Sequence, residues 1–488
     1  MRILVVGGGT AGFVSALILK KRFGINAKVD LVKSDNIGTI GVGEGSTEHW
    51  YEFMKFVDIP FTQLILKTEA TFKTGIFFKN WSNKDYLHNV NHLYDRTYGQ
   101  NRIYFEKLII DDLPLSSYNC IKSLIDTNYL NREGMSINDN LPANQFHFNS
   151  LKLIQFLQES FKMAGGNVFT DDIKDVILNN KGEIDKVKSN DREYEYDFYI
   201  DCTGFKRLLI SKLGVKWNSY KDYLKMNCAM VFPTKNKEDI DMFTTAEAMN
   251  SGWRFEIPIQ SRRGNGYIFD KNYITPDKAK EEIENHFGHE IEVNKVIDFD
   301  SGTLDKFWIK NCVAMGLSGS FVEPLEATSI GTTIQQSFIL MHYLKNYNEK
   351  VIEKYNDSMN DIMTNIRDFI QLHYITNRND TDFWRSLKDV KISDTLKEKL
   401  ELWKHRLPIS EDFNKQSDYI LFKDANWIHI LYGMNLIDVE KIKENHNFNS
   451  SEIIESVKDN IKNIRQNEKN VNTITHKQYL DIFKEIAT

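Results

Sequence analysis

Gly7, Gly9 and Gly12 form a G-x-G-x-x-G pattern, with Thr10 and Ala11 inside the loop. An apolar run at 3–6 precedes it, and apolar residues at helical spacing follow at 11–23. In that setting the first glycine permits a tight turn. The second lets a pyrophosphate approach the backbone, and the third lets helix and strand pack closely. The helix N-terminus then meets the phosphates with its positive end. A second strand-end turn, Asp201-Cys-Thr-Gly204, closes the apolar run at 198–201. An acidic turn, Glu323-Pro-Leu-Glu326-Ala-Thr-Ser329, stands before a helical stretch. Lys73 and Lys79 fall on one face of a β-like run at 72–78.

The phosphate loop makes the chain a nucleotide binder, but the ribose partner is irregular. Dinucleotide folds place an acid about 20 residues on, at the end of the second strand. Here that strand ends at Lys33, with Asp35 just beyond. Asp35 can take the ribose contact, or Lys33 can mark a 2′-phosphate and hence NADP. The turn at Asp201 decides for a flavin, because two-dinucleotide-fold flavoproteins need a late strand of this kind and a plain dehydrogenase does not.

The elements that must position these residues follow from periodicity. Residues 2–34 read as a βαβ unit, and a glycine-rich loop follows at 40–46. Residues 82–140 are polar and irregular and read as an insertion. An amphipathic helix covers 151–164, and strands joined by a turn at 179–182 cover 168–201. Residues 225–310 alternate in a β-like way around Trp253-Arg-Phe-Glu-Ile-Pro258. From about 331 the pattern is helical, and 435–488 read as surface helices with partial mobility. The nucleotide segments are scattered over 2–50, 168–210 and 311–335, which implies a discontinuous domain with substrate elements inserted between its strands. The expected fold is α/β and Rossmann-like, of the two-dinucleotide-binding flavoprotein type. It has an inserted β-rich substrate region within 1–340 and a mostly helical C-terminal part at 341–488.

Composition narrows the function class. A net charge of −6 gives no electrostatic footprint for nucleic acid or an anionic membrane. The four cysteines form no CxxC pair or zinc-like spacing, so no metal site is expected and reduced thiols in the cytoplasm are the simplest account. The N-terminus enters a strand without a signal-like segment, and no apolar run is long enough to span a membrane.

These segments together resemble the flavin-dependent tryptophan halogenase family. The likeness runs in family order through Gly7–Gly12, Ile40-Gly-Val-Gly-Glu44, Ala70-Thr-Phe-Lys73 with Asn80-Trp81, and Phe146-His-Phe148. It continues through Asp201-Cys-Thr-Gly-Phe205, Gly252–Pro258 and 316–329, with a weaker match at Asn426-Trp427. The resemblance implies FADH2 delivered by a separate flavin reductase, O2, and a halide (chloride, bromide or iodide). Hypohalous acid made at the flavin would travel through a tunnel to an electron-rich aromatic, an indole or tryptophan-like molecule. The resemblance also admits a homo-oligomer.

Residue by residue, it makes Lys73 the catalytic lysine, acting either as a hydrogen-bond donor to hypohalous acid or as a haloamine. Lys79 is the internal competitor. Glu326 becomes the catalytic glutamate, orienting the acid, stabilising the cationic ring or accepting its proton. The flavin contacts implied are Gly7, Gly9, Thr10, Ala11, Gly12, Lys33, Gly41, Val42, Gly43, Glu44, Ile173, Asp201, Gly204, Gly316 and Leu317. The amides of Thr328 and Ser329 would hold halide. Trp253, Phe255, Pro258 and Trp427 would line the tunnel or substrate site. The sequence departs from the family at Ala327, where a bridging serine is common, and at Phe255, where a second tryptophan is expected. An aromatic hydroxylase is the nearest alternative, but such enzymes carry a Gly-Asp motif, and Ala314-Met-Gly-Leu-Ser-Gly319 has no Asp. A non-catalytic redox sensor is the other.

Overall fold

The computed structural model describes residues 1–36, 44–89, 102–130 and 141–487. A six-stranded sheet organises the nucleotide segments. Its order is Trp308–Ile309, Cys312–Ala314, Phe198–Asp201, Arg2–Val6, Lys28–Lys33, Asn167–Thr170. All neighbours pair in parallel except the first two. Ile3, Val5, Leu31, Phe198 and Ile200 are fully enclosed, as parallel strands covered on both faces require. Helix Thr10–Phe23 covers one face and packs on helices Ser150–Met163 and Thr328–Tyr343. Its first turn needs a residue without a side chain: a Cβ at Gly12 would lie 1.9 Å from the Gly7 carbonyl oxygen.

A seven-stranded sheet forms the inserted β region. Its order is Lys295–Asp298, Cys228–Thr234, Arg263–Phe269, Gly252–Pro258, Phe243–Ala248, Gly75–Lys79, Tyr86–Asn89. A three-stranded sheet joins the two regions, with Gln145–Phe148 between Glu44–Gly45 and Thr71–Lys73. Three segments far apart in sequence thus meet in one small sheet.

The structure corrects three expectations. The run at 72–78 is not one strand. The backbone N–H and hydroxyl of Thr74 both donate to the Met242 carbonyl, which diverts the chain between Thr71–Lys73 and Gly75–Lys79. Lys73 and Lys79 therefore belong to different sheets. The stretch 82–140 is not simply irregular: it holds strand Tyr86–Asn89 and helices Arg102–Ile110 and Tyr118–Ile121. The segment from 435 is not all surface. Helix His476–Ala487 buries Tyr479, Leu480 and Phe483, and strand Thr473–Thr475 pairs with Leu124–Asp126. This helix packs beside the strand that carries Lys73. His476, Tyr479 and Phe483 all pack on Phe72, and Nε2 of His476 accepts the Phe72 N–H at 3.2 Å.

Candidate active site

The residues expected to hold the nucleotide gather at the C-terminal edge of the six-stranded sheet, where open α/β sheets bind ligands. Val6 pairs with Asp201 and Asp201 with Ala314, so the turns that begin at Gly7, Cys202 and Met315 leave the sheet side by side. Lys33 pairs with Thr170, and Ile173 follows just beyond. The chain crosses from one side of Arg2–Val6 to the other, so the turns at Gly7 and Cys202 meet at the switch point of the sheet. Gly7 has φ +125°, and a Cβ there would lie 2.1 Å from the Cys202 carbonyl oxygen. A Cβ at Gly9 would meet nothing within 4 Å, so that backbone faces open space. Helix Thr10–Phe23 begins there with no side-chain cap and no acid in its first turn. This cradle fits an FAD pyrophosphate: the first-turn N–H groups of the helix face the anion, while the Gly7 N–H is held by the Val32 carbonyl.

The other flavin candidates divide by what their side chains do. Gly316, at φ +60°, packs against the Cβ of Ala11, and Leu317 continues that turn. The Asp201 carboxylate accepts from the N–H and hydroxyl of Thr203, from Leu209 and Ile210 N–H, and from the Ser318 hydroxyl. It therefore shapes the turn through Gly204 rather than presenting itself to a ligand. Thr10 donates to Glu44 at 3.2 Å, and desolvation pushes that carboxyl up to about 7. Lys33 is ion-paired with Asp35, so the two ribose candidates neutralise each other. Gly41, Val42 and Gly43 lie outside the described residues.

Lys73 sits at the junction of the small sheet and the acidic turn. It is 2% exposed, and its Nζ donates to the Ser46 carbonyl at 2.7 Å. An ideal Cβ at Gly45 would lie 3.7 Å from that Nζ and 3.6 Å from the Ala327 Cβ. The ammonium and the residue that follows Glu326 thus both border Gly45. Burial pulls its pKa from 10.5 to about 8, against the attraction of Glu326 and Glu48. The strand is braced from behind. Thr71 donates its hydroxyl to the Pro258 carbonyl, so it accepts from His147 Nδ1, whose Nε2 then accepts from Thr244. Burial, with Lys73 nearby, drives the His147 pKa well down and keeps that ring neutral. Lys79 is partly exposed, with its Nζ 5.9 Å from the Phe77 ring.

Glu326 is enclosed by two histidines that sequence reasoning missed. His88 Nδ1 lies 3.0 Å from both carboxylate oxygens, and His373 Nε2 lies 3.0 Å from Oε1. Burial raises the Glu326 carboxyl, but His88 and His373 outweigh it and leave the pKa at about 2. A group so acidic suits charge stabilisation better than proton abstraction. Nothing in the spacing of His88 or His373 relates them to Glu326; only the fold joins them.

Ala327 takes the left-handed conformation, φ 52°, and turns the chain into helix Thr328–Tyr343. Thr328 and Ser329 are its first two residues, and no side chain caps its start. Their amides belong to the unsatisfied first turn and lie at the positive end of the helix, a setting that suits an anion. Trp253 is buried and donates Nε1 to Glu323 Oε1 at 3.1 Å; Tyr374 donates to the same oxygen. Oε2 of Glu323 is buried without a partner, and desolvation raises this carboxyl to about 7. Phe255 lies 6.2 Å from Trp253 between ring centroids, and its ring occupies the space that a Cβ at Gly266 would fill. Trp427 is enclosed by Phe369, Trp403 and Phe413 and bonds the Phe422 carbonyl. It backs the wall, with Phe369 between it and the two histidines.

This geometry has relatives. A family model for tryptophan halogenase matches residues 2–446. The chain is 31% identical to the 7-chloro-L-tryptophan 6-halogenase KtzR of Kutzneria sp. (strain 744) over 452 residues, 84% of this chain and 86% of that protein. The chain belongs to the tryptophan halogenase family. It is likewise 30% identical to the tryptophan 6-halogenase SttH of Streptomyces toxytricini over 450 residues, 84% of this chain and 85% of that one. Among solved structures it is similar to Tar14, a tryptophan C-6 flavin-dependent chlorinase from taromycin biosynthesis. The TM-score is 0.84 at 26% identity, covering 99% of each chain. The protein is thus a flavin-dependent halogenase, an enzyme whose family uses FAD and halide. Among the described residues no cluster of His, Cys, Asp or Glu could hold a metal ion, and no helix is long and apolar enough to cross a membrane.

Proposed function

We propose that this halogenase acts on an indole or tryptophan-like aromatic, with Lys73 and Glu326 as its catalytic pair. Bound FAD, received in reduced form from a separate reductase in the cytoplasm, supplies hypohalous acid from O2 and halide. The glycines at 7, 9 and 12, with Thr10, Ala11, Glu44, Gly204, Gly316 and Leu317, hold the cofactor at the sheet edge. The amides of Thr328 and Ser329 hold halide at the helix start. The Lys73 ammonium donates a hydrogen bond to the hypohalous acid and polarises it toward the ring. Glu326 stabilises the positive charge that the ring acquires. Trp253 and Phe255 wall the passage and keep water from it.

One observation carries this reading. The Lys73 Nζ is buried, borders Gly45 as Ala327 at the end of the acidic turn does, and is within electrostatic reach of Glu326. An ordinary strand lysine points to solvent, as most others here do. The test supplies FAD, a flavin reductase and each halide in turn to the enzyme with a panel of indoles, free tryptophan and phenols. Halide-dependent mass gain is expected on an indole. Lys73→Ala should keep FAD binding and O2 consumption and lose product. Hydroxylated product, or full halogenation by Lys73→Ala, would overturn the assignment.

A further inference from the structure

His373 ends helix Glu349–Leu372 and is fully enclosed. Its Nδ1 lies 2.8 Å from the Phe369 carbonyl oxygen and its Nε2 lies 3.0 Å from Glu326 Oε1. A carbonyl oxygen only accepts, so Nδ1 carries a hydrogen. The contact between Nε2 and Glu326 must then hold one more proton, on the ring or on the carboxyl. Two lone pairs would otherwise face each other in a buried site.

His88 decides where that proton rests. The Asn426 amide is oriented by its Oδ1, which accepts the Lys423 N–H at 2.9 Å, so its Nδ2 donates to His88 Nε2 at 3.3 Å. His88 Nε2 is therefore an acceptor, and His88 Nδ1 bears the hydrogen that it donates to both oxygens of Glu326. Oε1 already receives this bond, and an acid hydrogen on the same oxygen would compete with it. The other charged or titratable groups that face Glu326 are Lys73, Tyr86 and His429. Burial lowers the pKa of His429 to about 3, so that ring is neutral. Burial raises the Tyr86 phenol well above 10, so it too is uncharged. The Lys73 ammonium also favours an ionised Glu326.

We propose that His373 is a positioning residue of the halogenation reaction: a buried imidazolium, fixed between the Phe369 carbonyl and Glu326, that holds Glu326 as an oriented carboxylate. The inference rests on Glu326 being the catalytic carboxylate. His373 itself acts only through that group. Its charge also distinguishes it from a plain hydrogen-bonding residue, because a neutral donor of the same reach cannot replace it.

The test joins spectroscopy with kinetics on the full chain. Nitrogen-15 spectra of the histidine rings at about pH 8, where an unpaired histidine is neutral, should show one ring protonated at both nitrogens. Its signals should vanish in His373→Gln and shift in Glu326→Gln. His373→Gln keeps a neutral donor toward Glu326. It should bind FAD as the parent does, with KM for the aromatic little changed and kcat lowered about 10- to 100-fold, the loss typical of a misplaced catalytic group. Absence of a doubly protonated ring, or parental kcat in His373→Gln, overturns the proposal. If His373→Gln does not fold, the shift in Glu326→Gln alone decides: a doubly protonated ring unmoved by that change refutes the pairing. Near-parental kcat in Glu326→Gln would instead refute the role of Glu326, a separate outcome.

Discussion

Lys73→Met should make the enzyme more stable and catalytically dead. The Lys73 ammonium is 2% exposed, and its pKa falls from 10.5 to about 8. That fall is worth roughly 3 kcal/mol of native-state cost at about 1.4 kcal/mol per pH unit. Methionine fills a similar volume without a charge. It also abandons the Ser46 carbonyl, which Lys73 bonds at 2.7 Å, and an unpaired buried acceptor costs about 1–2 kcal/mol. The net gain near pH 7 is then on the order of 1–2 kcal/mol. Its sign changes with pH in a definite way. Below about 8 the lysine is charged in both the folded and unfolded chain, and the full cost is present. Between about 8 and 10.5 only the unfolded chain holds the proton, so the parent becomes more stable as pH rises and the advantage of the variant narrows. Urea unfolding of parent and variant at pH values across this range measures the difference directly. A Lys73→Met protein that is less stable than the parent at neutral pH, or a difference that does not move with pH, would refute the reasoning. The same ionisation should shape turnover. If the ammonium donates to hypohalous acid, kcat falls as pH rises through about 8; if a free amine reacts, kcat rises there.

Further outcomes are as sharp. Glu326→Gln should lower kcat about 10²-fold, the usual scale for a positioned electrostatic group, while Lys79→Ala changes it little; product assays decide both. Glu323→Gln should stabilise the fold above pH 7 and not below about 5. Its carboxyl titrates at about 7 rather than 4.5, so a buried charge with an unpaired Oε2 is lost; thermal unfolding at the two pH limits checks this. Gly9→Glu should fold, because a Cβ there meets nothing within 4 Å, yet lose FAD in a titration, because its carboxylate opposes the pyrophosphate. Phe255→Trp should retain halogenation and alter halide preference, measured by competing bromide against chloride.

The scaffold was legible where backbone chemistry dictates residue type. The turns at Gly7, Asp201 and Gly316 sit at strand ends that only small or turn-forming residues can occupy, and they meet at one sheet edge. The strand around Trp253 was legible because alternate residues face opposite ways: Trp253 toward the aromatic wall, Arg254 toward Glu247 and Glu256. The break at Thr74 was not. Its cause is a carbonyl on Met242, and nothing local to 72–78 signals it. The C-terminal helix misled for a related reason. Its charged composition reads as surface, yet Tyr479 and Phe483 pack behind Phe72.

The electrostatics of the site depend on the fold alone. Glu326, His88 and His373 come from a turn, an edge strand and a helix end, and each would read as ordinary by itself. Brought together in a buried site, they answer a question that the motif leaves open. A glutamate beside a reacting ring can take its proton or oppose its charge. Two donors on the carboxylate, with a pKa of about 2, leave little basicity for the first task and a fixed negative charge for the second. The lysine is treated in the opposite way. Burial lowers its pKa toward neutrality, so its proton is more readily shared, and a hydrogen bond from it to hypohalous acid is stronger than one from a solvated ammonium. On the proposed role, the same burial that destabilises Lys73 in the fold suits it to polarise the oxidant, and relieving the cost by mutation should remove the function with it.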